Sequence, residues 1–164
     1  GLFSNEPKSR EDLFELYNKM TNKYPFIVLH DPLEENDIEG YKYLRENNKA
    51  IIVGEDLFGS NINRMKECIS YGCVDSILLS INSFETVSDA IEIANYAKSR
   101  GVSIMPKDAC GESIDTIAYA VGLNASLIYE SGLDFSSNEL LIREAEIGDR
   151  VKYFGNAAFK KNLY

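Results

Sequence analysis

The titratable side chains of this sequence gather directly after short apolar runs. Ala50–Val53 leads through Gly54 into Glu55 and Asp56, Phe26–Leu29 leads into His30, Asp31 and Pro32, and Val102–Met105 leads into Pro106, Lys107, Asp108, Ala109 and Cys110. Paired carboxylates can bind Mg2+ weakly, and a carboxylate beside an imidazole can orient it as an acid/base pair or a metal ligand. Each has a plainer reading. His30 can equally fill a strand end with its nitrogens hydrogen-bonded, and one acid of the Glu55–Asp56 pair can be held by a neighbouring lysine or by backbone N–H groups. Cys110 precedes Gly111 at a helix start that favours a thiolate, but Asp108 opposes that ionisation and leaves an inert thiol. Lys107 is a candidate base unless strand alternation turns it outward.

Acids at the ends of apolar runs fall where α/β folds put their chemistry, at the carboxyl ends of parallel strands. The runs themselves read as buried strands, and Asp75–Ile81 (DSILLSI) repeats the pattern before Ser80 and Asn82. Helical spacing appears between them. Ser9–Asn22 carries Leu13, Phe14, Leu16, Tyr17 and Met20 on one face, Asn36 caps a helix to Glu46, and Asn61 caps another to Tyr71 with Gly72 as its stop. Phe84–Ser99 presents Val87, Ile91, Ala94, Tyr96 and Ala97 before Gly101, and a helix after Ser113 presents Ile117, Ala118, Val121 and Leu123. A last strand, Ser126–Tyr129, precedes Glu130, and Ser137 caps a closing helix from Asn138 to Ile147. Five strands thus alternate with helices, the cadence of a (β/α) barrel or an open parallel sheet. Five units do not close a barrel of eight, so the sheet edges require strands from a longer parent chain or from a second copy.

With 164 residues, 45% of them hydrophobic, the chain can bury one core. Its apolar runs fall short of the roughly 20 residues needed to cross a bilayer. A net charge of −9, from 26 acids against 17 bases, repels nucleic-acid backbones and anionic membrane surfaces. Three cysteines, Cys68, Cys73 and Cys110, make an odd count without C-x-x-C spacing, which argues for free thiols in a reducing compartment, the cytoplasm, and against a zinc site. Gly1 in place of Met reads as an expression scar or an internal cut.

The order of strand ends resembles the C-terminal barrel of the enolases, magnesium-dependent glycolytic enzymes. The likeness runs from Asp12 to Asp149 and includes Y-P-x-V-x-x-x-D-P at Tyr24, Pro25, Val28, Asp31 and Pro32. Further matching pieces are Ile52-Val53-Gly54 with Asp56-Leu57, Leu78-Leu79 with Asn82, Gly111-Glu112, Ala120-Val121-Gly122-Leu123, and Leu140-Leu141 with Gly148-Asp149.

The resemblance implies a set of working positions, and most are altered. The family's magnesium-binding glutamate of S-I-E-D-P corresponds to His30, and imidazole serves a hard cation poorly. The first aspartate of G-D-D-L corresponds to Glu55, which keeps a carboxylate, and the third ligand belongs to a strand upstream. The lysine of L-L-L-K-x-N-Q that removes the proton beside the substrate carboxylate corresponds to Ser80, which has no basicity to offer. The phosphate-holding S-H-R-S-G-E-T loop corresponds to Lys107–Ser113, so that Asp108, Ala109 and Cys110 replace histidine, arginine and serine. The lysine of I-K-x-G falls on Tyr129. Losing a base and an anion clamp removes transition-state stabilisation worth orders of magnitude in rate.

The sequence therefore predicts a partial TIM-type barrel of about five β/α units, spanning residues 1–164 as a single portion of a longer cytoplasmic chain. Its predicted role is a noncatalytic scaffold for binding or assembly. The rival is a Mg2+-dependent lyase that dehydrates 2-phosphoglycerate in the full-length parent, with Glu55 on the metal and Lys107 or His30 as a substitute base. Expected partners are the missing upstream part or another protomer, with a homo-oligomer possible; the tail aromatics Tyr153, Phe154 and Phe159 are expected to cover barrel edges.

Overall fold

The computed structural model describes residues 7–107, 114–129, 135–152 and 155. Helix α1 (Arg10–Lys23) precedes strand β1 (Val28–His30), followed by α2 (Ile38–Asn47), β2 (Ile51–Gly54), α3 (Ile62–Tyr71), β3 (Ser76–Leu79), α4 (Val87–Ser99) and β4 (Ser103–Pro106). Helices α5 (Ile114–Gly122) and α6 (Phe135–Ile147) complete the order. The strands pair in parallel as β1-β2-β3-β4, each beside its successor. Sequential order with every crossover the same way is how a (β/α) barrel is wound, and a doubly wound open sheet would reverse it. The arrangement is that of a partial TIM barrel.

Among the described residues the expected fifth strand shows one parallel bridge, Lys107 with Tyr129, with the Tyr129 N–H donating to the Pro106 carbonyl at 2.9 Å. The predicted start of β1 at Phe26 moves to Val28, with Phe26 exposed. Only β2 and β3 are buried along their whole length.

Helix boundaries follow their caps. Ser9 and Asp12 form a reciprocal capping box on α1, Asn61 caps α3, and Gly72 closes α3 in the left-handed region at φ 84°. Asp37, not Asn36, caps α2 by accepting the Gly40 N–H. Thr86 caps α4, so that helix begins at Val87 after a tight turn over Ile81–Ser83. Its buried stripe is Ala90, Ile93, Ala94 and Ala97, while Val87 and Ile91 face outward, because the i, i+3, i+4, i+7 series from Ala90 presents the flatter surface to the sheet. Ile117 and Ala120 are the buried apolar residues of α5, and α6 starts at Phe135, ahead of the proposed cap Ser137.

Two apolar layers result. Leu29, Ile52, Ile77, Leu79 and Ile104 face the helices, packing on Tyr41, Leu44, Cys68, Ile69, Ile93 and Ala97. The opposite face carries Ile51, Val53, Leu78 and Met105, flanked by Val28 and Leu127, and forms the barrel interior. Cys68 and Cys73 are free and buried. No helix among the described residues is long and apolar enough to cross a membrane.

Candidate functional site

Strand alternation builds the site from the interior layer. Val28, Val53, Leu78, Met105 and Leu127 share the interior face, and side chains two residues further along an extended backbone lie on that face again. Those residues are His30, Glu55, Ser80, Lys107 and Tyr129. All five stand at the carboxyl end of the sheet, above the apolar layer.

Three of them meet directly. Lys107 Nζ donates to both Glu55 oxygens, at 2.8 Å to Oε1 and 2.9 Å to Oε2. His30 Nε2 lies 3.2 Å from Glu55 Oε2 and 3.1 Å from Asp31 Oδ2. Tyr129 closes one side, its ring centroid 5.6 Å from Lys107 Nζ and 6.3 Å from the His30 ring. The side chains of His30, Glu55 and Lys107 are 34%, 28% and 27% exposed, so the cluster is open to solvent at the barrel mouth.

Asp31 is held quite differently. Its Oδ1 accepts the Glu55 N–H at 3.0 Å and the Tyr41 hydroxyl at 3.1 Å, and its Oδ2 accepts the Asp56 N–H at 2.9 Å. Asp31 itself sits in the left-handed region at φ 40°, which these bonds must stabilise. Burial, and then the Asp31 charge, push the Tyr41 hydroxyl well above the usual tyrosine range. Helix α1 braces the same turn, since Tyr17 Oη donates to the Pro32 carbonyl at 2.6 Å. Glycine at 54 makes room for the Phe58 ring, since a Cβ there would lie 2.9 Å from Phe58 Cζ.

Ser80 is 6% exposed, and its Oγ has no hydrogen-bond partner among the described residues. Lys107 points into the mouth, not outward, and the lysine reading of the Glu55–Asp56 pair applies to Glu55. Asp56 opens a short turn over Asp56–Phe58 and contributes its N–H to Asp31 rather than its carboxylate to the cluster. His30 Nε2 lies within hydrogen-bonding distance of the Asp31 and Glu55 carboxylates. Asp108, Ala109 and Cys110 lie outside the described residues, as do Tyr153, Phe154 and Phe159. Sequence reasoning missed the inward turn of Lys107, which counting two residues on from interior Met105 would have found.

One ligand atom each from His30, Asp31 and Glu55 lies within 4.8 Å of the others, a spacing that could hold a metal ion. The set does not fit Mg2+, which wants near-octahedral oxygen ligands. One position is imidazole, the Glu55 carboxylate is bracketed by an ammonium group, and the Asp31 carboxylate is occupied by backbone donors.

A family model for the enolase C-terminal TIM barrel domain matches residues 4–162. An enolase of Methanococcus maripaludis strain S2 is 41% identical over 130 residues, which make up 77% of this chain and 30% of that relative. An enolase of Methanococcus aeolicus is 38% identical over 158 residues, 91% of this chain and 37% of the relative. The chain thus spans about a third of the length of the curated relatives it matches.

Proposed function

The chain belongs to the enolase C-terminal TIM-barrel family, and from that premise we propose that it is the barrel portion of a longer cytoplasmic protein that no longer carries out the family's dehydration. Its role is then binding or assembly. The observation that carries this reading is the Lys107–Glu55 pair. Lys107 Nζ at the mouth donates to both Glu55 carboxylate oxygens and is engaged by them, while the interior position above Leu78 presents only the Ser80 hydroxyl. A base that removes a proton next to a carboxylate must be unprotonated and aimed at it. Neither Ser80 nor a paired Lys107 meets that condition.

The test is turnover of 2-phosphoglycerate by the full-length protein with Mg2+. The expected result is no phosphoenolpyruvate above the uncatalysed background; turnover that is lost in Glu55→Gln overturns the reading.

A second reading has its own support in the three ligand atoms of His30, Asp31 and Glu55. It is a metal-assisted lyase in which Glu55 would hold the cation and Lys107, His30 or upstream residues would supply the base. Saturable Mg2+ binding that raises the melting temperature favours it over the scaffold. For the scaffold, the edge of β1 that has no strand neighbour among the described residues is the natural seat of the upstream part of the parent or of another protomer. A monomer by light scattering at high concentration counts against the second-copy version.

A further inference from the structure

We propose that Cys68 and Cys73 are a peroxide-responsive pair: hydrogen peroxide oxidises Cys68, and Cys73 closes the product to a reversible disulfide between the two. The backbone brings them together. Helix α3 ends in a Schellman turn, in which the Cys73 N–H donates to the Cys68 carbonyl at 3.1 Å, the Gly72 N–H donates to the Ile69 carbonyl at 3.2 Å, and Gly72 sits in the left-handed region. Such a turn sets the side chain after the glycine against the one five residues earlier, and here both carry thiols, hydrogen-bonded to each other. Standard bond lengths and the 3.1 Å contact keep the two Cα atoms within about 7 Å, the outer reach of a disulfide, and the thiol contact shows that the side chains converge.

The two thiols are not equivalent. The hydrogen bond from Cys73, helped by the Arg64 charge, draws the Cys68 thiol below its ordinary range, while the same bond and then burial push the Cys73 thiol up. Cys68 is therefore the nucleophile and Cys73 the partner that keeps its proton. Access follows the same order. Cys73 is fully buried, whereas Cys68 lines an open apolar groove of about 600 Å3 between α2 and α3, beside Ile38 and Tyr71. Hydrogen peroxide is little larger than water and can enter there. Both thiols belong to the helix-facing layer and not to the barrel mouth, so the proposal is independent of whether the dehydration is lost.

The Cys68 thiolate attacks one peroxide oxygen; the O–O bond breaks, and the leaving hydroxide takes up the proton that Cys68 gave up. The Cys73 sulfur then attacks the sulfenic acid on Cys68, the S–S bond forms, and the hydroxyl leaves with the Cys73 proton as water. The two thiols lose two electrons and two protons, and one hydrogen peroxide becomes two waters. A thiol reductant reverses the change, as suits a reducing compartment, where disulfides are transient and redox-sensing. Closing the pair ties the last turn of α3 to the segment that enters β3.

The experiment is peptide mapping of the native full-length protein after hydrogen peroxide, with free thiols blocked by iodoacetamide before trypsin. Both cysteines fall on the tryptic peptide 67–98, because no lysine or arginine lies between Lys66 and Lys98, and Cys110 falls on another. The expected peptide is unalkylated and lighter by two hydrogens, and it regains both alkylation sites after dithiothreitol. Cys73→Ser should accumulate a sulfenic acid on Cys68 that dimedone traps, and Cys68→Ser should leave Cys73 unlabelled. Circular dichroism checks the fold of each variant, and where one does not fold the wild-type peptide decides. A doubly alkylated peptide after peroxide, a disulfide that forms only in urea, or dimedone on Cys73 in preference to Cys68 overturns the proposal.

Discussion

Asp75 and Glu55 are both carboxylates paired with a cation beside the same sheet, and they are held in opposite ways. Asp75 lies at the amino end of β3, 4% exposed, where Oδ2 accepts the Ile52 N–H at 3.0 Å and Oδ1 accepts from Arg45 Nε at 3.0 Å. Glu55 lies at the carboxyl end of β2, and the donors at its carboxylate come from the side chains of Lys107 and His30. A backbone donor cannot leave without unfolding the strand, whereas a lysine can rotate away. Asp75 therefore belongs to the architecture, and Glu55 to a site whose cation can be exchanged. Asp31 is intermediate in kind, at the mouth like Glu55 but fixed by backbone N–H groups.

The sharpest way to break this contrast is to remove the carboxylates in turn. Asp75→Ala strips the acceptor from the buried Ile52 N–H and the charge from beside Arg45, and urea unfolding should show a loss of about 2–3 kcal/mol. Asp31→Ala removes the acceptor of two N–H groups at a partly exposed turn and should cost about 2 kcal/mol. A smaller cost than that of Glu55→Gln would contradict the assignment of Asp31 to the architecture.

Tyr41 extends the contrast into pH. Its hydroxyl is raised above the ordinary value of 10.0, so the native state keeps a proton that the unfolded state gives up. Its contribution to stability is complete below pH 10.0 and is lost as pH rises through the native value. The slope is at most about 1.4 kcal/mol per pH unit, and Tyr41→Phe should flatten it in alkaline unfolding curves. The smallest effect belongs to the mouth. Lys107→Met should change stability by less than about 1 kcal/mol, because the pair is more than a quarter exposed and screened by solvent.

Much of this was legible in the sequence. Apolar runs ending in titratable residues marked β1, β2 and β4 and put His30, Glu55 and Lys107 at strand ends, with the direction of Lys107 left open. Period two then gives their common face, because Val28, Val53 and Met105 precede them by two residues. The clamp on Asp31 was not legible, since its amide donors come from residues 24 and 25 positions along the chain, and no local pattern encodes that meeting. Nor was the reduction of Ser126–Tyr129 to one bridge, because strand composition does not reveal how many neighbours a strand will have. The face of α4 was misread for a related reason: Val87 and Ile91 are the more hydrophobic residues, but the alanines allow closer approach to the sheet.

Proton exchange tests the central claim, that the mouth holds a neutralised pair and no working base, more directly than overall turnover does. The full-length protein is incubated with 2-phosphoglycerate and Mg2+ in heavy water, and the hydrogen on the carbon beside the carboxylate is followed by NMR. The account predicts no deuterium uptake beyond the protein-free control. Uptake that disappears in Lys107→Met would show a lysine released from Glu55 and acting as a base, and would contradict it.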